Sequence, residues 1–127
     1  MNTDEEKMNA ITQTIIGFAF KVHHELMSGF AEKVYENALR FELKEAGFTV
    51  LQQEPITARY RGVVVGEYVA DLIVNDTVLV EVKAVRGVDD AHVAQCLHYL
   101  AATNIPVCLL INFGKRVDVK RLRGRQR

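Results

Sequence analysis

The chain has 127 residues, with 16 Lys and Arg against 16 Asp and Glu, so its formal net charge is zero and its bulk charge does not describe a strongly electrostatic nucleic-acid binder. A hydrophobic fraction of 49% fits one globular domain over residues 1–127, able to bury roughly two thirds of its unfolded surface without disulfide or metal staples. No apolar run approaches the ~20 residues needed to span a bilayer, and Asp4, Glu5 and Glu6 reverse the basic start of a secretory leader, so a cytoplasmic protein with no membrane partner is expected.

Thr3 to Glu6 has the form of a capping box, and Met8, Ile11, Ile15, Phe18, Val22 and Leu26 follow at steps of three and four. This predicts a long amphipathic helix that ends at Ser28-Gly29. His23, His24 and Glu25 fall in its last turn, where an imidazolium suits the negative end of the helix dipole. A second helix is predicted from about Ala31 to Ala46, closed by Gly47. Its apolar arc takes in Ala31, Val34, Tyr35, Ala38, Leu39, Phe41, Leu43 and Ala46, and Glu32 lies between Leu39 and Leu43 on the wheel. A carboxylate there is partly desolvated and needs a cation, a donor or a metal-bound water. Backbone donors or an Arg would serve too, and Glu42 shares the arc.

From about Thr49 to Tyr60 the chain reads as a strand interrupted by Pro55, turning at Arg61-Gly62 into a hairpin. With Asn75, Asp76 and Thr77 as its loop, Val74 faces Val78, Leu72 faces Val80, Ala70 faces Val82 and Asp71 faces Glu81. One face is then wholly apolar, and the other carries Asp71, Glu81 and Lys83. Like charges across a ladder are destabilising, by about 4 kcal/mol at contact distance and an effective dielectric near 20. A hard divalent ion such as Mg²⁺ or Mn²⁺ would compensate; Lys83 alone, in a solvated salt-bridge patch, is the plainer solution.

Asp89 or Asp90 caps a third helix to about Thr103, which carries Gln95 in a polar stripe with His92, His98 and Tyr99. An amide there can orient a water or a phosphate oxygen. His92 and Cys96 have i, i+4 spacing but no further ligands nearby, and Cys96 and Cys108 fall in different elements, as expected of reduced core thiols. Ile105 to Phe113 suits a buried strand and Val117, Val119 and Leu122 a short edge strand. Strand, helix, strand from Val78 to Phe113 implies a right-handed crossover and a parallel pair, hence a mixed α/β sheet flanked by helices. A basic C-terminal tail from about 115 gathers Lys115, Arg116, Lys120, Arg121, Arg123, Arg125 and Arg127 against Asp118. Solvation is the ordinary fate of such a tail; phosphate contact is the functional one. No G-x-G-x-x-G, Walker or G-x-S-x-G motif is present.

Taken in order, Gly29-Phe-Ala-Glu32-Lys-Val-Tyr35 resembles the G-x-x-E-x-x-Y motif of a family of small bacterial and archaeal proteins, and Asp71 with Glu81-Val82-Lys83 resembles the D…(E)xK core of the PD-(D/E)xK nuclease superfamily. Val22-His23, Tyr35 to Leu39, Gly66-Glu67-Tyr68, Gln95 with Tyr99-Leu100, and Leu110 to Gly114 fit the same pattern, so the likeness covers nearly the whole chain. Ala70 and Ser28 stand where prolines are frequent. The resemblance implies a restriction-endonuclease-like αβββαβ core and metal-dependent hydrolysis of nucleic-acid phosphodiester bonds. It further implies that Glu32, Asp71, Glu81 and the Val82 carbonyl hold Mg²⁺ or Mn²⁺, with Lys83 as the catalytic lysine and Gln95 as an accessory polar residue. The implied partner is nucleic acid, DNA first, although the residues do not separate DNA from RNA. A homodimer is expected by analogy with small domains that embrace a duplex as two subunits. Two other readings stay open: a binding module on the same fold without turnover, favoured by the neutral charge, and a hydrolase of small phosphoesters.

Overall fold

The structure is a computed structural model describing residues 3–124. Helix α1 (Thr3–Leu26) and helix α2 (Glu32–Glu45) precede strands β1 (Val50–Tyr60), β2 (Val63–Val74) and β3 (Val78–Lys83); helix α3 (Asp90–Thr103) leads to β4 (Val107–Phe113) and β5 (Val117–Arg123). The strands form one sheet in the order β1-β2-β3-β4-β5. β3 and β4 are parallel and the other neighbours antiparallel, so the expected mixed sheet and parallel crossover are present.

Each sheet face has its own core. Met8, Ile15, Ala19 and Val22 of α1 and Tyr35, Leu39 and Leu43 of α2 pack on Leu72, Val74, Val78, Val80 and Val82. Cys96, Tyr99 and Leu100 of α3 pack on the opposite face with Ile73, Leu79, Cys108 and Leu110. β3 and β4, covered on both sides, are buried almost throughout, as parallel strands require. Among the described residues no helix is long and apolar enough to cross a membrane.

Local rules account for the boundaries. Met27 and Gly29 take positive φ after α1. At the end of α2, Gly47 (φ 93°) donates to the Lys44 carbonyl and Phe48 to that of Leu43, the paired bonds of a Schellman closure. Asp89 caps α3 by accepting from His92 N–H, while His92 Nδ1 accepts from Asp89 N–H, which commits His92 to the helix end.

Several expectations need correction. Thr3 is already helical, so the capping box does not form as drawn. Val34 and Phe41, assigned to the apolar arc of α2, are exposed. Pro55 stays in register with Val69; the ladder skips a row two residues earlier, at Gln53 (φ 53°), and shifts register between Ala58 and Arg59. The basic segment from about 115 is not a separate tail: the expected edge strand, β5, takes it up from Val117 through Arg123 and is tied to α1 by Arg121 to Asn9 and Arg123 to Glu5. Arg125 and Arg127 lie outside the described residues.

Candidate nuclease site

The β2–β3 hairpin has the predicted loop, with Asn75 and Asp76 at positive φ, and the predicted pairs Val74–Val78 and Leu72–Val80. Beyond Leu72–Val80 the ladder stops, so the expected pairs Asp71–Glu81 and Ala70–Val82 do not form. Side chains close the gap instead. Asp71 N–H donates to Glu81 Oε2 at 2.9 Å, and Val82 N–H donates to Asp71 Oδ2 at 2.8 Å. Because N–H and C=O of one strand residue point to the same side, the Val82 carbonyl also faces this gap.

The gap coincides with an exchange of faces. Val50 and its partner Val74 belong to the core under α1 and α2, whereas Ile56 and Ala70 belong to the core under α3. Between them the one row missing from the β1–β2 ladder is Gln53–Asp71. Ala70 therefore does not extend the apolar face of Leu72 and Val74. The positive φ at Gln53 sends its amide toward two acids: it donates to Asp71 Oδ1 at 3.1 Å and to Glu36 Oε2 at 3.0 Å. Gln52 (2.7 Å) and Lys33 (3.0 Å) also reach Glu36 Oε2.

Glu36 is thus the α2 carboxylate joined to the hairpin acids, and it is 2% exposed. Glu32, the expected one, is the exposed first residue of the helix, with no hydrogen bond or ion pair to Asp71, Glu81 or Lys83 among the described residues. The sequence signal for Glu36 is the Leu39 and Leu43 stripe, three and seven residues on, which Glu32 shares one turn earlier. Glu42 pairs with Lys21 at 3.2 Å. Gln95 is half-buried on α3 and makes no hydrogen bond to the acids. Lys83, half-buried at the end of β3, has no ion pair among the described residues.

Electrostatics mark Glu81. Burial first, and the Asp71 charge second, push its carboxyl up to about 9, against the opposing bond from Asp71 N–H. On α3, burial and then the charges of Glu81 and Asp71 raise the Tyr99 hydroxyl to about 12. Cys96 and Cys108 are buried free thiols. Among the described residues no three His, Cys, Asp or Glu side chains converge as a preformed metal cage.

A cleft of about 670 Å³ opens at the carboxyl ends of β3 and β4, lined by residues 28–30, 84–87, 112–116 and Asp118. Its shape has identifiable causes. Asn112 accepts from Val85 N–H and donates to Val85 O, both at 2.9 Å, which fixes the segment after Lys83. Tyr35, stacked on Phe113 at 4.7 Å, donates to Met27 O at 2.6 Å and accepts from Phe30 N–H at 3.2 Å, which fixes the segment around Gly29. Arg86, Lys115 and Arg116 are exposed on this cleft and have no ion pairs among the described residues.

The sequence matches the PD-(D/E)XK nuclease superfamily over residues 9–122. The chain belongs to that superfamily. Its fold is similar to that of an alkaline exonuclease from Laribacter hongkongensis (TM-score 0.55, 16% identity over 73% of this chain and 56% of the other). It is also similar to SSO0001 (TM-score 0.54, 14% identity, 75% and 50%). The chain thus spans about half the length of these structures. No curated protein matches the sequence. The superfamily match covers every carboxylate of the site, together with Lys83.

Proposed function

We propose that this superfamily member is a metal-dependent nuclease of the G-x-x-E-x-x-Y group, hydrolysing nucleic-acid phosphodiester bonds in the cytoplasm, with DNA as the first substrate. The observation that carries this reading is the locked pair of Asp71 and Glu81 at the point where β2 and β3 part. Two carboxylates are held together there, one of them kept protonated by burial and by its neighbour. The set fits a hard divalent cation: Asp71, Glu81 and the Val82 carbonyl supply oxygen donors at one gap, and a positive charge would offset the burial and the Asp71 charge that raise the Glu81 pKa.

Glu36 joins this donor set through its shared contact with Gln53, in preference to the exposed Glu32. A bound Mg²⁺ or Mn²⁺ supplies an acidified water and offsets charge on the phosphate. Lys83, one same-face step beyond Glu81, orients the attacking water and stabilises the negative charge that develops on phosphorus-bound oxygen. Gln95 is assigned a polar contact to substrate. Arg86, Lys115 and Arg116 hold flanking phosphates along the cleft.

The test is a cleavage assay on supercoiled, linear and single-stranded DNA and on RNA, with Mg²⁺, with Mn²⁺ and with chelator. Turnover is expected only with metal and is abolished by Asp71→Ala. Absence of cleavage from every substrate would favour the non-catalytic binding module that the zero net charge also suits.

A further inference from the structure

Beside the acid pair lies an aromatic ring that hydrolysis itself does not use. Tyr68 of β2 is on the α3 side of the sheet, where its ring tilts against Tyr99 with centroids 5.5 Å apart at 57°. Tyr68 stands three residues before Asp71 on β2, and its neighbour Tyr99 is the α3 residue whose hydroxyl feels the charges of Glu81 and Asp71. The ring is held from beneath as well. A Cβ built on Gly66 would come within 3.2 Å of Tyr68 Cε2 and 3.3 Å of its hydroxyl, so the ring lies along the strand over a residue that has no side chain. A side chain at 66 would press the ring aside by a few tenths of an ångström.

Tyr68 nevertheless remains 38% exposed. An aromatic ring braced on two sides and open to solvent beside a phosphate-cleaving centre loses little freedom when a flat partner settles on it. Bases offer such a partner only where they are unstacked, in single strands, loops or frayed ends.

Resting on the nucleic-acid reading of the site, we propose that Tyr68 is a stacking platform for an unpaired base next to the scissile phosphate. It thereby directs the enzyme toward single-stranded or end-frayed substrate. Tyr68 touches no reacting atom in this scheme; it is a positioning residue.

The test is binding, measured with chelator so that no cleavage is required. The probes are a 12-nucleotide thymidine oligomer and an abasic oligomer of the same length, which carries the same phosphates and no bases. Wild type is expected to bind the thymidine oligomer about tenfold more tightly, the scale of one base–aromatic stack. Tyr68→Ala should lose that preference while binding the abasic oligomer as wild type does, which also reports that it is folded. Tyr68→Trp should retain the preference. If Tyr68→Ala fails to fold, Tyr68→Leu keeps an apolar group over Gly66 and should show the same loss. Equal affinity of wild type for the two oligomers, no binding of either, or a preference that survives in Tyr68→Ala or Tyr68→Leu would overturn the proposal. Failure of the nuclease reading looks different: the preference would persist and depend on Tyr68 while no metal supports cleavage.

Discussion

Asp71 and Glu81 are joined through the backbone against the repulsion of their charges: the Glu81 carboxyl group accepts the Asp71 N–H at 2.9 Å, in place of the ladder pair the hairpin would otherwise make there. The bond holds the two acids together in the absence of a cation, and by itself it favours an ionised Glu81, against burial and the Asp71 charge. Burial and the Asp71 charge raise that carboxyl from an ordinary 4.5 to about 9.

The metal-free protein should therefore lose stability as pH rises. Between about 4.5 and 9 the folded state retains a proton that the unfolded chain has released, so the slope is negative, up to about 1.4 kcal/mol per pH unit. Thermal unfolding of wild type and Glu81→Gln with chelator, at pH 6 and 8, measures it. The variant should be the flatter of the two; parallel curves would mean that Glu81 is already ionised.

Metal binding should run the other way, tightening with pH and releasing a proton as Glu81 ionises. Calorimetric titration of Mn²⁺ in two buffers of different ionisation enthalpy reads the proton count. In the same experiment Glu36→Gln should weaken binding roughly tenfold, the lower end of the range for groups that support a metal site, and Glu32→Gln should leave it within about twofold. The reverse order would return the third acid to Glu32.

Lys83→Ala should leave Mn²⁺ affinity nearly unchanged and slow cleavage by about a hundredfold or more. Single-turnover rates at saturating metal separate the two effects. A matched loss of metal affinity would make Lys83 a structural counter-ion of the acids.

Salt dependence should report the cleft. Replacing Lys115 and Arg116 by Ala removes two cations that have no ion pair among the described residues, so the slope of log affinity for duplex DNA against log salt should flatten by about 0.9 for each phosphate that is no longer neutralised. An unchanged slope would assign both side chains to solvent. Truncation from Arg121 is a poorer probe, because it removes part of β5 and the Arg123–Glu5 pair.

What was legible in sequence followed from short-range rules. The alternation about Asp76 located the hairpin loop and two of its pairs, Gly47 closed α2, and Asp89 capped α3, because each depends on a few neighbouring residues. The face exchange at Gln53 was not legible: positive φ at a glutamine is imposed by the surrounding sheet and helix, and nothing in its own side chain prefers it. Glu36 was not weighed beside Glu32 and Glu42 for a related reason. Helical periodicity shows which stripe is covered but not at which turn covering begins, and here residues 31–34 are all exposed and burial starts at Tyr35.

The irregularity at Gln53 also bears on how copies of the chain can meet. β1 is an outer strand, and an outer strand invites another to add along its free row of amides and carbonyls. Gln53 turns its peptide out of the strand path, and two residues later Pro55 has no N–H to offer. The free row is thus cut into short pieces, and a continuous ten-stranded sheet built edge to edge through β1 is closed to this protein. A homodimer would have to join through helices, through β5 or through the far end of the β1–β2 hairpin.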